Sequence, residues 1–238
     1  MASAVIKNWD NKTWLSSKNY INSFNKFLIK NFKINSKAKI LDIGCGRGKI
    51  LGSLSSKLNL KKKPLGIDII NHRDKDKRIK FQKIDVIDFS KKNKEKFDFI
   101  LIKQTIHLIR LTDIKKILHR LKERLNPKGK ILIFTLDTSK NEIPTFEAMK
   151  IRLNKSLKRD KKILELISKI FPHRSQKKFI YSVKINKKKY LEMIKNRYIS
   201  TLLNFTDSQI IIGLKEITKK YKKNIKFKDR LICYIIKN

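Results

Sequence analysis

The run Asp42-Ile43-Gly44-Cys45-Gly46-Arg47-Gly48 constrains the fold more than any other part of this chain. It ends a short apolar stretch, Lys39-Ile40-Leu41-Asp42-Ile43, and opens onto Ile50, Leu51, Leu54 and Leu58, which recur at helical spacing. Glycines at a strand-to-helix turn let the backbone reverse sharply and approach a ligand closely. A dinucleotide fingerprint, G-x-G-x-x-G, would need a glycine where Lys49 stands. The pattern present is D-x-G-x-G-x-G.

The same alternation continues downstream. Residues 64–69, 79–84, 97–102 and 130–136 read as four further strands. Ile114, Ile117, Leu118, Leu121 and Leu125 draw one helix face, closed by the turn Asn126-Pro127-Lys128-Gly129. Upstream, Ser16-Ser17 caps a helix whose apolar face is Tyr20, Phe24, Phe27 and Leu28. Strands separated by helix-length segments predict an α/β, Rossmann-like three-layer sandwich, a mostly parallel sheet with helices on both faces. Past residue 138 the pattern changes. Pro144 precedes a helix with Phe146, Met149, Leu153 and Leu157, and a second helix carries Ile163, Leu164, Ile167 and Phe171. A strand over 179–185 follows, then a helix capped by Asn186 with Tyr190, Leu191 and Ile194. Thr206 and Gln209 form a capping-box pattern, and 225–236 suits a strand or a terminal hairpin.

Charge is the compositional extreme. Lys and Arg total 60 against 20 acids, a formal net charge of +40. A polyanionic partner is one account of this excess. The other is the codon composition of an AT-rich genome, because only 11 of these cations are arginine and the lysines are spread along the chain among Ile and Asn. Cys45 and Cys233 lie far apart, without a CxxC partner or a histidine at zinc spacing, so neither a disulfide framework nor a structural zinc is expected. No apolar run reaches the roughly 18 residues of a membrane span, and residues 1–10 lack the pattern of a signal peptide. A cytoplasmic location is the expectation.

Three more positions join the glycine loop. Asp68 stands 20 residues beyond Gly48, Asp85 follows the third strand, and Leu125-Asn126-Pro127-Lys128-Gly129 is similar to an L-x-P-G-G turn with Lys128 in place of the first glycine. In this order, over 39–136, the chain resembles the class I SAM-dependent methyltransferases (type 11/25-like), where SAM is S-adenosylmethionine. The resemblance implies SAM as cofactor, S-adenosylhomocysteine as product, and a loop of Asp42, Gly44, Cys45, Gly46 and Gly48 beneath the methionine and ribose. It places Asp68 on the ribose hydroxyls with Ile69 beside it, Asp85 and Val86 at the adenine, and Lys103 and Gln104 towards the methionine part or the acceptor. It divides one domain, 1–238, into an N-terminal helical lid (1–35), a SAM-binding core (39–136) and an acceptor-side cap with C-terminal strands (138–238), an insertion after the fifth strand.

The tail, Tyr190 to Leu202 and Ile225 to Leu231, is similar to small-molecule methyltransferases near the trans-aconitate branch, which makes Arg197 and Tyr198 acceptor-pocket candidates. The alternative is a solvated helix-end cation and a core tyrosine. His107, just past the fourth strand, is the candidate catalytic base or acceptor orienter; otherwise it is a helix-start histidine bonded to backbone. Trp9, Trp14 and Tyr20 either form a lid, the last two on the acceptor side, or pack outside the sheet. Lys103-Gln104-Thr105-Ile106 stands where methylases of adenine or glutamine amino groups carry N/D-P-P-Y/F, and no metal-ligand cluster is expected. The reading is SAM-dependent in-line methyl transfer to a small, anionic molecule, with nucleic acid not favoured as a partner. The alternatives are an RNA methyltransferase that uses the basic surface and a non-catalytic SAM-binding protein. The oligomeric state is not legible.

Overall fold

The computed structural model describes residues 13–238; Trp9 lies outside the described residues. Seven strands form one sheet: β1 (Ile40–Ile43), β2 (Leu65–Asp68), β3 (Lys80–Lys83), β4 (Phe97–Lys103), β5 (Leu125–Leu136), β6 (Ser175–Asn186) and β7 (Asn224–Lys237). Their order is β3-β2-β1-β4-β5-β7-β6. The first five strands are parallel, and β7 lies antiparallel between β5 and β6. The order reverses between β1 and β4, so a crevice opens beyond their carboxyl ends.

The helices are α1 (Lys18–Phe32), α2 (Lys49–Leu58), α3 (Val86–Lys92), α4 (Leu111–Glu123), α5 (Glu147–Ile170), α6 (Lys187–Lys195) and α7 (Asp207–Lys220). Strand alternation sorts the core into two layers. Phe99, Leu101, Leu132 and Phe134 pack with Phe24 and Leu51 on one face. Ile100, Ile102, Ile131 and Ile133 pack with Ile114, Ile117 and Leu118 on the other. This is the expected three-layer sandwich. The predicted caps form: Ser17 Oγ accepts the Tyr20 amide, Asn186 Oδ1 accepts the Lys188 amide, and Thr206 and Gln209 bond reciprocally. No described helix is long and apolar enough to cross a membrane.

Two local expectations are corrected, and one that was left open is decided. Leu125 belongs to β5, paired with Phe97, because α4 ends at Glu123 and the 126–129 turn becomes an irregularity within the strand. Lys128 there holds φ +66°, the left-handed conformation that explains why a glycine would suit the position. Of the two alternatives for 225–236, the strand is the one that forms, paired along its length with β6. The two helices expected after Pro144 are one helix, α5, of 24 residues. That length spans about 36 Å. Met149, Leu153 and Leu157 pack in one core layer, whereas Ile163, Leu164 and Ile167 pack in the other. The charged run Lys158-Arg159-Asp160-Lys161-Lys162 is therefore where α5 passes the edge of the sheet from one face to the other, with no break between helices.

Candidate functional site

A cavity of about 770 Å³ opens at the carboxyl ends of the parallel strands. One end is built by the glycine loop. Gly44 holds φ +71°, and a Cβ there would sit 2.2 Å from Thr105 Oγ1, so only glycine lets the loop pass the end of β4. Gly46 donates its amide to Asp68 Oδ2 at 2.8 Å, and the Ile70 amide donates to Asp68 Oδ1 at 2.9 Å. Asp68 thus holds the loop and its own strand end in register. Arg47 is buried, and its Nε donates to Asp74 at 2.8 Å.

Asp42 is 5% exposed and has no hydrogen-bond partner among the described residues. Burial pushes its carboxyl up to about 7, with Lys103 opposing that shift and Asp68 reinforcing it. A buried carboxylate without partners is costly, and the open direction is the cavity that it lines. Burial also pushes the Cys45 thiol up, which keeps it protonated. Asp85 caps α3, its Oδ1 accepting the Ile87 amide at 2.7 Å, and lines the cavity beside Val86.

The other end is framed by β4, β5, α5 and the turn over 200–202. Lys103 Nζ lies 3.1 Å from Gln104 Oε1 and over the rings of Tyr20 and Phe24. Gln104 itself holds φ +52°, a strained backbone for a non-glycine at the end of β4. Asp229 of β7 is 1% exposed and accepts the Trp14 indole N–H at 3.1 Å. The Tyr20 hydroxyl feels the same carboxylate but does not complete a hydrogen bond to it. His107 lies in the 3-10 turn Ile106–Leu108, half-buried, and burial with the Arg159 charge lowers it to about 4. It is a neutral imidazole at pH 7.

Of the residues singled out from the sequence, Asp42, Gly44, Cys45, Gly46, Asp68, Ile69, Asp85, Val86, Lys103, Gln104, His107, Trp14 and Tyr198 line this one cavity. Three do not. Gly48 precedes α2 at φ +68°, closed in by Ile79, and serves the turn. Tyr20 is wholly buried against Phe179 and Tyr181. Arg197, its side chain 20% exposed, donates from one nitrogen to the Phe205 carbonyl and the Asp207 carboxylate, so it neither lines the cavity nor stands as a solvated cation. Sequence reasoning missed Asp160, Arg159, Thr135 and Asp229, all at the cavity. Asp160 did leave a signal. Met149, Leu153, Leu157, Asp160, Leu164, Ile167 and Phe171 follow helical spacing, so the acid occupies a place on the apolar stripe where a core residue is due.

The methyltransferase-domain family matches residues 18–175, well over half of the chain. The chain belongs to that family and is a SAM-dependent methyltransferase. No curated protein matches the chain. Among solved structures it is similar to the plantazolicin methyltransferase BpumL in complex with a monoazolic desmethylPZN analog and S-adenosylhomocysteine (TM-score 0.54, 19% identity, 98% of this chain and 89% of that one). It is similar to the N-methyltransferase NodS from Bradyrhizobium japonicum (TM-score 0.53, 12% identity, 100% and 97%). A SAM-dependent methyltransferase from Archaeoglobus fulgidus matches at a TM-score of 0.52 and 18% identity, over 92% and 94%. At these identities the likeness is one of fold.

Proposed function

We propose that the chain holds SAM over its glycine loop and passes the methyl group to a small molecule in the same cavity. The observation that carries this reading is Asp42: a buried carboxylate without a hydrogen-bond partner among the described residues, heading a loop whose glycine could not carry a side chain. That is a fit for a ligand with a cationic end, and SAM bears an ammonium and a sulfonium. Gly44, Cys45 and Gly46 would lie beneath the methionine and ribose. Asp68 already accepts two amides, but a carboxylate offers about four lone-pair positions and keeps room for ribose hydroxyls. Asp85 would accept the adenine amino group, with Ile69 and Val86 as apolar walls.

When bound, SAM supplies a methyl group already activated by its sulfonium. The residues of the chain then have to orient an acceptor in line and exclude water. Trp14, Leu15, Ser16 and Ile21 bring the N-terminal segment to the cavity, which supports its role as a lid. Neutral His107 would orient the acceptor by hydrogen bonding. Of the two pocket candidates in the tail, Tyr198 lines the cavity and Arg197 does not. The acceptor end mixes Asp160 and Asp229 with Lys103 and Arg159, so we do not propose selection for an anion. The net charge of +40 is the observation that favours RNA instead.

The experiment is methyl transfer from tritiated SAM to a small-metabolite extract and, separately, to total RNA. Label in metabolites supports the reading. Label confined to RNA replaces it with the RNA alternative, and SAM binding without transfer to either makes the chain a binding protein.

A further inference from the structure

The middle of α5 holds a polar group that the cofactor does not account for. Asp160 lies where the helix passes the edge of the sheet, is 7% exposed, and faces the cavity. Among the described residues its only hydrogen-bond partner is the Thr135 hydroxyl, 3.5 Å away at the limit of such a contact. Thr135 is next to the last residue of β5, on the face opposite Phe134. Lys103 pairs with Phe134 and the Gln104 amide donates to the Phe134 carbonyl at 2.8 Å, so the ends of β4 and β5 lie side by side. Asp160 is therefore held above the end of β5, with only β4 between it and the β1 end that carries the glycine loop.

Buried carboxylates in folded proteins are ordinarily well bonded. A purely structural Asp160 would be a poor use of a core position, because an apolar residue of similar size would pack there without a desolvation cost. The alternative is that its partner is a molecule in the cavity.

Resting on the methyltransferase reading, we propose that Asp160 is the general base of this site and that the acceptor carries its proton into the cavity, as a weakly basic N–H or a phenolic O–H. In that step the methyl carbon bonds to the acceptor nitrogen or oxygen as its bond to sulfur breaks, and the electron pair of that bond stays on sulfur. The acceptor's proton passes to Asp160 and leaves from there to water. A carboxylate or thioether acceptor has no proton to give and would leave Asp160 without a task.

The other charged and titratable groups lining this side of the cavity are Arg159 on α5, Lys103 at the end of β4, His107 after it, Arg110 and Asp113 at the start of α4, Tyr198 after α6 and Asp229 on β7. Burial raises the Asp160 carboxyl to about 6, against the Thr135 hydrogen bond and the Arg159 charge, which lower it. His107 is lowered to about 4. A base works best near the operating pH, and of these two Asp160 is closer to it.

The test uses four monosubstituted benzenes, aniline, phenol, benzoate and thioanisole, with tritiated SAM and the full chain. Aniline and phenol should be methylated, and benzoate and thioanisole should not. Asp160→Asn should lower transfer by about 100-fold or more while calorimetric affinity for S-adenosylhomocysteine stays within about twofold. The wild-type rate should fall about tenfold per pH unit below about pH 6, and that limb should be absent in Asp160→Asn. Asp160→Asn within threefold of wild type overturns the inference. So does transfer to benzoate or thioanisole at the rate of aniline, or transfer to none of the four by a protein that binds S-adenosylhomocysteine. A protein that does not bind S-adenosylhomocysteine at all takes down the methyltransferase reading itself.

Discussion

Replacing Asp42 by Asn should make the protein more stable and bind its cofactor worse. Asp42 is 5% exposed, and burial moves its carboxyl from the ordinary 3.8 to about 7. A raised folded-state value means that the native chain binds more protons than the unfolded one between about pH 4 and 7. The contribution to stability is thus present below pH 4 and lost as pH rises through 7. The span from 3.8 to about 7 corresponds to about 4 kcal/mol against the fold at pH 8. Asn keeps the shape and removes the charge. Lys103 loses one acidic neighbour but keeps Asp229, which takes back part of the gain. A net stabilisation of about 2 kcal/mol at pH 8 would raise Tm by about 4–8 °C in a chain of this size, with little change at pH 4. Affinity for S-adenosylhomocysteine should fall by about 1.5–3 kcal/mol, the scale of lost hydrogen bonds to a charged group. Thermal unfolding at pH 4 and pH 8, with calorimetry on the same variant, measures both signs. A variant less stable than wild type at pH 8, or one that binds S-adenosylhomocysteine as tightly, would refute the reasoning.

Lys128 spends its conformational freedom at φ +66°, so Lys128→Gly should gain about 1 kcal/mol in chemical denaturation, the strain of a left-handed residue exceeding the entropy cost of glycine. A loss would mean that the lysine side chain contributes more than the strain costs. His107 is lowered to about 4 from an ordinary 6.5, so the native chain binds fewer protons in that window and stability is lost as pH falls from about 6.5 to 4. His107→Gln should flatten that decline in denaturation curves between pH 7.5 and 4.5, and an unchanged slope would show that the imidazole titrates normally.

The glycine-rich loop and the strand-end acids were legible because their meaning is local. A D-x-G-x-G-x-G turn after an apolar strand places Asp42, Gly44 and Gly46 at the carboxyl edge, and period-two strands fix which faces are buried. The acceptor end depends on long-range packing and was read less well. Tyr20 looked like a lid residue because its helical spacing is equally that of a core position, which it fills. Arg197 drew attention by resemblance, but its partners Phe205 and Asp207 lie up to ten residues on and hold it elsewhere. Residues 158–162 read as a gap between helices because a charged run interrupts the apolar pattern. Only the two-faced packing of α5 shows that the helix continues and that Asp160 turns inward. Asp229 sits in a strand 187 residues after Asp42 in sequence, and pairing of β7 with β5 brings it to the same cavity.

SAM is proposed to lie across the ends of β1 and β2. The most direct test is calorimetric titration of S-adenosylhomocysteine into wild type and Asp68→Ala, whose carboxylate is at the cavity and anchors the loop through the Gly46 amide. Wild type should show saturable one-site binding, and the variant should lose about 1.5–3 kcal/mol. Equal affinity in a folded Asp68→Ala protein would contradict it.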